Sequence, residues 1–236
     1  MNSHTASPVN CWAVFPAAGV GARMGSHCPK QYLPLAGRSV IEHSLDVLLN
    51  HPAISGGVVA LSETDGYWAG LDYRHAKPLH RAAGGRQRCD SVLNALQLLA
   101  ETVAADSWVL VHDAARPCLR SADISRLIEA CSAHPVGGIL AVPVKDTIKQ
   151  ADHRGHIVAT VDRDSLWHAQ TPQMFRLGML REALAQALAD GVPITDEASA
   201  LEHVGQRPLL VEGHADNLKI TRPEDLPLAE FYFSQR

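Results

Sequence analysis

A chain of 236 residues, 46% of them hydrophobic and 19% charged, is long enough to bury a sizeable core and too apolar to be disordered. Its net charge of −4 leaves no basic face to displace counterions from many phosphates, which excludes general nucleic-acid binding. Cys11, Cys28, Cys89, Cys118 and Cys131 form no C-x-x-C pair and read as thiols of a reducing compartment, and the thirteen histidines show no zinc-type spacing. The segment Met1–Asn10 lacks the basic start and apolar centre of a signal peptide, and no apolar run approaches the roughly 20 residues of a membrane span. A cytoplasmic protein with no membrane or nucleic-acid partner is expected.

Apolar runs alternate with helical patterns along the chain, as in an α/β sheet. The run Cys11–Phe15, with Trp12–Phe15 as the first strand, feeds a loop bearing Gly19, Gly21 and Gly25, with Arg23 and Lys30 inside it. Glycines let backbone N–H groups approach an anion, and two cations suit a triphosphate whose charge must be spread during reaction. The loop fits neither familiar pattern. Its third glycine falls one residue late for G-x-G-x-x-G, and Lys30 follows proline and precedes Gln31, unlike a P-loop lysine.

Val40, Ile41, Leu45, Leu48 and Leu49 predict a helix over Ser39–Asn50, stopped by Pro52, and Gly57–Leu61 predicts a strand. Ser62–Pro78 is polar and irregular, with Tyr67, Trp68 and Tyr73 as local packing. Gly84-Gly85 opens a loop before a helix over Asp90–Ala104. Ser107–His112 is a buried-type strand with Asp113 at its carboxyl end, where open α/β sheets place ligand groups. Asp113 reads equally as a group orienting ribose, water or magnesium and as a capping carboxylate paired with Arg116.

Ser121 is expected to cap a helix over Ala122–Ala133, and Gly138–Val142 is a further strand. Residues 143–162 alternate around a turn at Asp152–Gly155, as a protruding β-hairpin arm does. Dimerisation through this arm and packing as an edge hairpin on its own domain are both open readings. A helix over Leu177–Ala189 and a short helix after Thr195-Asp-Glu lead to a strand over Pro208–Glu212. A last helix is opened by Thr221-Arg-Pro-Glu224, read as a capping box with proline in the first turn. No internal repeat is present, and one α/β domain spanning residues 1–236 with the 143–162 arm is the economical organisation.

The block Pro16-Ala-Ala-Gly-x-Gly-x-Arg-Met-Gly25 followed by Pro29-Lys-Gln-Tyr32 resembles the signature of the 2-C-methyl-D-erythritol 4-phosphate cytidylyltransferase family. Further matching blocks are Gly84-Gly85 with Arg88, Asp90 and Ser91, then Val111–Pro117, Pro143–Thr147, Val161–Arg163, Leu166–Gln173, Thr195–Ser199 and Asp216–Thr221. The resemblance implies a Rossmann-like, open, twisted, mostly parallel sheet flanked by helices, of the GT-A-like nucleotidyltransferase kind. It implies transfer of CMP from CTP to methylerythritol phosphate with Mg²⁺ as cofactor, and a homodimer that exchanges the arm.

Within that resemblance, Arg23 and Lys30 correspond to the pair acting on the transition state and leaving pyrophosphate, and Arg163 and Lys219 to the residues holding the polyol phosphate. Ala17, Ala18, Gly19, Gly84, Gly85 and Ser91 are expected at cytosine and ribose. Thr147, Thr171 and Thr195 are expected at the second substrate, with Asp113 and Arg116 also binding substrate. Asp113 is the candidate magnesium ligand, the metal being held mainly by the triphosphate. Thr147 and Arg163, beside the arm, are expected to serve a partner's site. Arg86-Gln87 departs from the acidic pair of some relatives and bears on base contacts. Ribitol 5-phosphate as substrate, or a catalytically silent nucleotide-binding protein of the same fold, are the competing readings.

Overall fold

In the computed structural model, residues 10–19 and 28–235 are described. The first strand, β1 (Cys11–Pro16), is followed by a single 3₁₀ turn at Lys30–Tyr32 and a minimal ribbon of β2 (Pro34–Leu35) and β3 (Arg38–Ser39). Then come α1 (Val40–Leu49), β4 (Ile54–Leu61), β5 (Leu79–Ala83), α2 (Arg88–Leu99), β6 (Trp108–Val111), α3 (Ser121–Ser132) and β7 (Gly137–Pro143). The arm is β8 (Ile148–Ala151) and β9 (Ile157–Val161). The chain ends with β10 (Trp167–Arg176), α4 (Leu177–Ala189), α5 (Glu197–His203), β11 (Leu209–Glu212) and α6 (Asp225–Ser234).

The main sheet has seven strands in the order β11-β7-β10-β6-β1-β4-β5. All neighbours are parallel except β10, which runs antiparallel to both β6 and β7. From β1 the chain builds outward through β4 and β5 and then returns to β1's other side with β6. The strand order therefore reverses between β1 and β6, and such a switch point leaves a crevice beyond the carboxyl ends of the two strands.

Alternation along β1 divides the core. Cys11, Ala13 and Phe15 pack toward α1 and α3, whereas Val14 packs toward α2, α4 and α5. A third, smaller cluster of Leu35, Val40, Ala115, Cys118, Ile220 and Ala229 anchors the C-terminal segment beneath the loop after β6. None of the five cysteines is in a disulfide, and no helix among the described residues is long and apolar enough to cross a membrane.

Several boundaries differ from expectation. The strand β5 was absent from the sequence reading because Leu-His-Arg-Ala-Ala is a half-exposed edge strand without a clear apolar face. The strand β10 was also absent; its sequence carries Pro172, and its register with β7 shifts between Ala169 and Gln173. The helix α2 starts at Arg88, where Asp90 Oδ2 accepts the Gln87 N–H at 2.9 Å, and ends at Leu99, five residues short of Ala104. Ser121 is the first residue of α3 and not its cap; Arg120 holds that position, drawn there by its ion pair with Asp216. At α6 the capping carboxylate is Asp225, one residue later than expected, accepting the Thr221 and Arg222 N–H groups at 2.7 and 2.8 Å.

The arm β8–β9 is a separate two-stranded sheet, and every residue from 149 to 160 is exposed, so it does not pack as an edge hairpin on its own domain. Ile157 and Val158 are 67% and 64% exposed.

Leu110, fully buried in β6 beside the switch point, supports the crevice floor. Leu110→Ala is expected to lower the unfolding free energy in urea by about 2–5 kcal/mol. A loss below about 1 kcal/mol would show that the floor relaxes around the cavity.

Candidate active site

The crevice at the switch point is a cavity of about 370 Å³, and residues from five separate parts of the chain line it. The first wall continues β1. Ala17 N–H bonds to the Ala60 carbonyl at 2.9 Å, and the buried Gln31 amide donates to the carbonyls of Ala17 (2.8 Å) and Gly19 (3.2 Å). Gln31 thus ties the Lys30 turn to the start of the glycine loop. The turn is fixed from behind as well: Tyr32 donates to Asp65 at 2.7 Å and its ring stacks on Tyr67. The polar 62–78 stretch therefore buttresses Lys30 and is more than local packing.

The facing wall is the loop between β5 and α2. Gly84 N–H bonds to the Leu61 carbonyl at 2.6 Å, and a Cβ on Gly84 would stand 2.2 Å from the Ala18 Cβ. A Cβ on Gly85 would stand 2.1 Å from the Asp90 Cβ. Only glycine at 84 lets these two walls close to contact distance, and only glycine at 85 lets the loop fold against the start of α2. The Ser91 hydroxyl accepts the Gly85 N–H at 3.0 Å and donates to the Gln87 carbonyl at 3.3 Å, which holds the loop open as a narrow, backbone-lined niche.

The third element is Asp113, two residues past the end of β6 and buried. Its Oδ1 accepts from Arg88 Nε at 2.9 Å; its Oδ2 meets Lys219 Nζ at 2.9 Å and Arg116 Nε at 3.3 Å. Burial works to raise this carboxyl's pKa, but Arg88, Lys219 and Arg116 outweigh it and hold the group well below the usual carboxylate range. Arg88 reaches on to a second buried carboxylate, Glu197, through a fork of 2.6 and 3.1 Å. Arg116 also donates to the Asn217 carbonyl at 2.7 Å.

The C-terminal segment 216–221 closes the cavity. Ile220 N–H bonds to the Ala115 carbonyl at 2.8 Å, and the Asn217 amide donates to the Thr171 carbonyl at 2.8 Å. Lys30 Nζ donates to the Ile220 carbonyl at 2.8 Å, one residue past Lys219, whose own Nζ turns to Asp113. Below them, Asp113 N–H donates to Thr171 Oγ1 at 3.1 Å, Thr171 pairs with His112 Nδ1 at 3.0 Å, and His112 Nε2 meets the Arg116 carbonyl at 3.0 Å. The carbonyl can only accept, so Nε2 carries the proton and Nδ1 accepts from the threonine hydroxyl. Burial pushes the His112 pKa from 6.5 to about 4, which keeps the ring neutral as that chain of bonds requires.

Of the residues expected at the site, Ala17, Ala18, Gly19, Lys30, Gly85, Ser91, Asp113 and Lys219 line this one cavity. Gly84, Arg116 and Thr171 stand directly behind its lining. Asp113 faces the cavity and pairs with Arg116. Arg23 lies outside the described residues. Thr147 is exposed before β8, and Arg163 donates to the Lys145 carbonyl at the base of the arm; neither lines the cavity. Thr195 is exposed ahead of α5, its N–H bonded to Ser199 Oγ at 3.1 Å.

Gln31, Arg88, Glu197, Asn217 and Thr221 were missed as site residues. Arg88 and Glu197 stood in the matching blocks just ahead of the expected helices, and their meeting across 109 positions carries no sequence signal.

A mostly parallel α/β sheet with a backbone-lined niche and converging lysines and arginines at its switch point defines a nucleotidyltransferase. Residues 11–235 match the family model of 2-C-methyl-D-erythritol 4-phosphate cytidylyltransferase, and the chain belongs to that family. It is 59% identical over 216 residues to the enzyme of that name from Pseudomonas putida strain GB-1, covering 91% of this chain and 92% of the other. Identity to that of Pseudomonas aeruginosa strain UCBPP-PA14 is 60%, with the same coverage. Among solved structures, a 4-diphosphocytidyl-2C-methyl-D-erythritol synthase superposes with a TM-score of 0.83 at 41% identity, covering 95% of this chain and 99% of that one. The Francisella tularensis 2-C-methyl-D-erythritol 4-phosphate cytidylyltransferase gives 0.82 at 38% identity, with 94% and 99% covered.

The neutral His112 sets an acid limit on stability. Between pH 6.5 and about 4 the unfolded chain takes up a proton that native His112 refuses, so stability falls as pH drops through that window. At about 1.4 kcal/mol per pKa unit, the term amounts to roughly 3 kcal/mol by pH 4. Urea titrations at pH 7 and pH 5 are expected to show a steeper loss for the wild type than for His112→Gln. Identical slopes would mean that His112 titrates alike in the native and unfolded chains.

Proposed function

We propose that this protein transfers the cytidylyl group of CTP to 2-C-methyl-D-erythritol 4-phosphate, giving 4-diphosphocytidyl-2-C-methyl-D-erythritol and pyrophosphate in the methylerythritol phosphate pathway. Membership of the family supports the reaction. The observation that carries it structurally is the placement of Lys30 and Lys219 in one cavity, with Lys30 Nζ on the Ile220 carbonyl and Lys219 Nζ on Asp113, beside a backbone-lined niche.

The nucleophile is a phosphate oxygen that is already ionised, so no protein base is needed. Its oxygen forms a bond to the α-phosphorus while the bond from that phosphorus to the β-phosphate bridging oxygen breaks, and pyrophosphate leaves with the electron pair. The obstacle is electrostatic, because two polyanions must approach one another. Lys30, on the nucleotide wall, stabilises charge on the triphosphate and on the departing pyrophosphate, and Arg23 is assigned the same task. Lys219, held at 2.9 Å from Asp113, meets the incoming phosphate monoester from the other side. Gly84 and Gly85 bring two backbones close enough to read the cytosine edge and leave little width for a purine.

Mg²⁺ is proposed as the cofactor. Among the described residues no cluster of three or more histidine, cysteine or carboxylate groups could hold a metal, and Asp113 is the carboxylate lining the cavity. The triphosphate itself would supply most of the ion's oxygen ligands, since Asp113 is already engaged by Arg88, Lys219 and Arg116 and would add at most one contact. When bound, the ion would neutralise charge on the phosphates.

Arg163 and Thr147 stand away from this chain's cavity, on an arm that is paired only with itself and exposes Ile157 and Val158. These features support a homodimer in which the arm delivers both residues to a second copy's site. Thiols and not disulfides at all five cysteines support a cytoplasmic setting.

Pyrophosphate release assayed with CTP, UTP, ATP and GTP against methylerythritol phosphate and ribitol 5-phosphate is expected to be fastest with CTP and methylerythritol phosphate. Turnover with ribitol phosphate alone would replace the substrate, and none with any pair would leave a silent binding protein. Lys30→Ala should lower the single-turnover rate by roughly 100-fold or more with a several-fold change at most in CTP affinity. Equal losses would make Lys30 a ground-state contact. Mixing Lys30→Ala with Arg163→Ala protein should restore activity, since one site of each mixed dimer then holds an intact Lys30 and an intact Arg163. Absence of recovery would place Arg163 in its own subunit's site or outside any site.

A further inference from the structure

The ion pair between Arg88 and Glu197 joins the first turns of α2 and α5, two helices that share one core cluster. Glu197 is the first residue of α5, and its side chain is 1% exposed. The turn that carries it is rigidly set. Asp196 accepts the Ser199 N–H at 3.0 Å and the Gln173 amide at 2.9 Å, while Gln173 Oε1 accepts the Ala198 N–H at 3.0 Å. Glu197 does not line the cavity, whereas its partner Arg88 does.

A buried ion pair is weak support for stability, because desolvating two charges offsets most of their attraction and a pair of apolar side chains serves a fold as well. The geometry gives this pair a different use. Arg88 is shared between two carboxylates: its Nη1 and Nη2 fork occupies both oxygens of Glu197, and only Nε is left for Asp113 Oδ1. Asp113 Oδ2 therefore remains available to Lys219 and Arg116.

We propose that Glu197 is a positioning residue for the transfer reaction: by engaging the Arg88 fork it keeps Arg88 from taking both oxygens of Asp113, and so fixes the Lys219 ammonium where the incoming phosphate monoester must dock. Without Glu197 the guanidinium is free to turn its fork onto Asp113, the geometry an arginine prefers toward a carboxylate. Lys219 then loses its anchor. The effect falls on the second substrate, because the contacts that build the nucleotide niche, from Gln31, Gly84, Gly85 and Ser91, do not involve Glu197.

This inference rests on the proposed cytidylyl transfer. The test is steady-state kinetics of the full chain and of Glu197→Gln and Glu197→Asp, with CTP binding measured by calorimetry. For Glu197→Gln the KM for methylerythritol phosphate is expected to rise about tenfold and kcat to fall, the scale of one misplaced charge-assisted contact, while CTP affinity moves less than about twofold. Glu197→Asp keeps the charge but reaches less far, so it should fall between the two with a KM raised roughly threefold. A merely structural role would lower the yield of folded protein and leave both KM values unchanged. A bulk charge effect would tighten both anionic substrates alike. Either result overturns the proposal. Should Glu197→Gln not fold by circular dichroism, an unchanged KM in Glu197→Asp overturns it equally. A wild type without turnover would instead sink the transfer reaction itself, which separates the two failures.

Discussion

The site depends on one buried carboxylate. An isolated carboxylate at the depth of Asp113 would be neutral, and here three cations keep it ionised. The attraction works in both directions. Asp113 draws Arg88 from α2, Arg116 from the loop after β6 and Lys219 from the C-terminal segment to within 3.3 Å of one group. Cations that would repel one another are thereby held together around a cavity that has to receive two polyanions. Removing the carboxylate would leave three positive charges without their common partner, and the walls of the cavity would lose what holds them in register.

The layout separates two tasks. The wall made by the β1 extension and the β5–α2 loop is mostly backbone, and glycine at 84 allows its halves to touch. Such a surface reads shape and hydrogen-bonding edges. The opposite wall, made by the loop after β6 and the segment 216–221, carries charge. Lys30 belongs to the first wall by sequence but bonds to the backbone of the second through Ile220. That single bond joins the two walls, and Tyr32 and Gln31 hold its lysine from behind.

Much of this was legible in the sequence, for physical reasons that differ from residue to residue. The central strands are short runs of buried aliphatic residues, so β1, β4, β6 and β7 could be read from composition alone. Lys30, Lys219 and Asp113 stood in ordered blocks that resemble one family, and eight of the expected contacts share one cavity. Edge strand β5 was invisible because half its residues face solvent, and β10 because its proline and shifted register break the alternation. Arg88 with Glu197 escaped for a different reason: each alone is an ordinary charged residue in the first turn of a helix. Only the fold shows that α2 and α5 point those turns at each other. Ser121 and Glu224 lie one residue from the capping groups, which the Arg120–Asp216 ion pair sets at α3 and the local Asp225 carboxylate sets at α6.

The central claim, that Asp113 organises the cations on which the chemistry depends, is tested most directly by single-turnover rapid quench on Asp113→Asn with CTP and methylerythritol phosphate. Asparagine keeps the shape and removes the charge. The predicted result is a folded protein whose rate of diphosphate bond formation is lower by about two orders of magnitude, as when a preorganised charge contact is lost. A rate within about threefold of wild type would contradict it, since that would leave less than about 1 kcal/mol for the carboxylate to contribute.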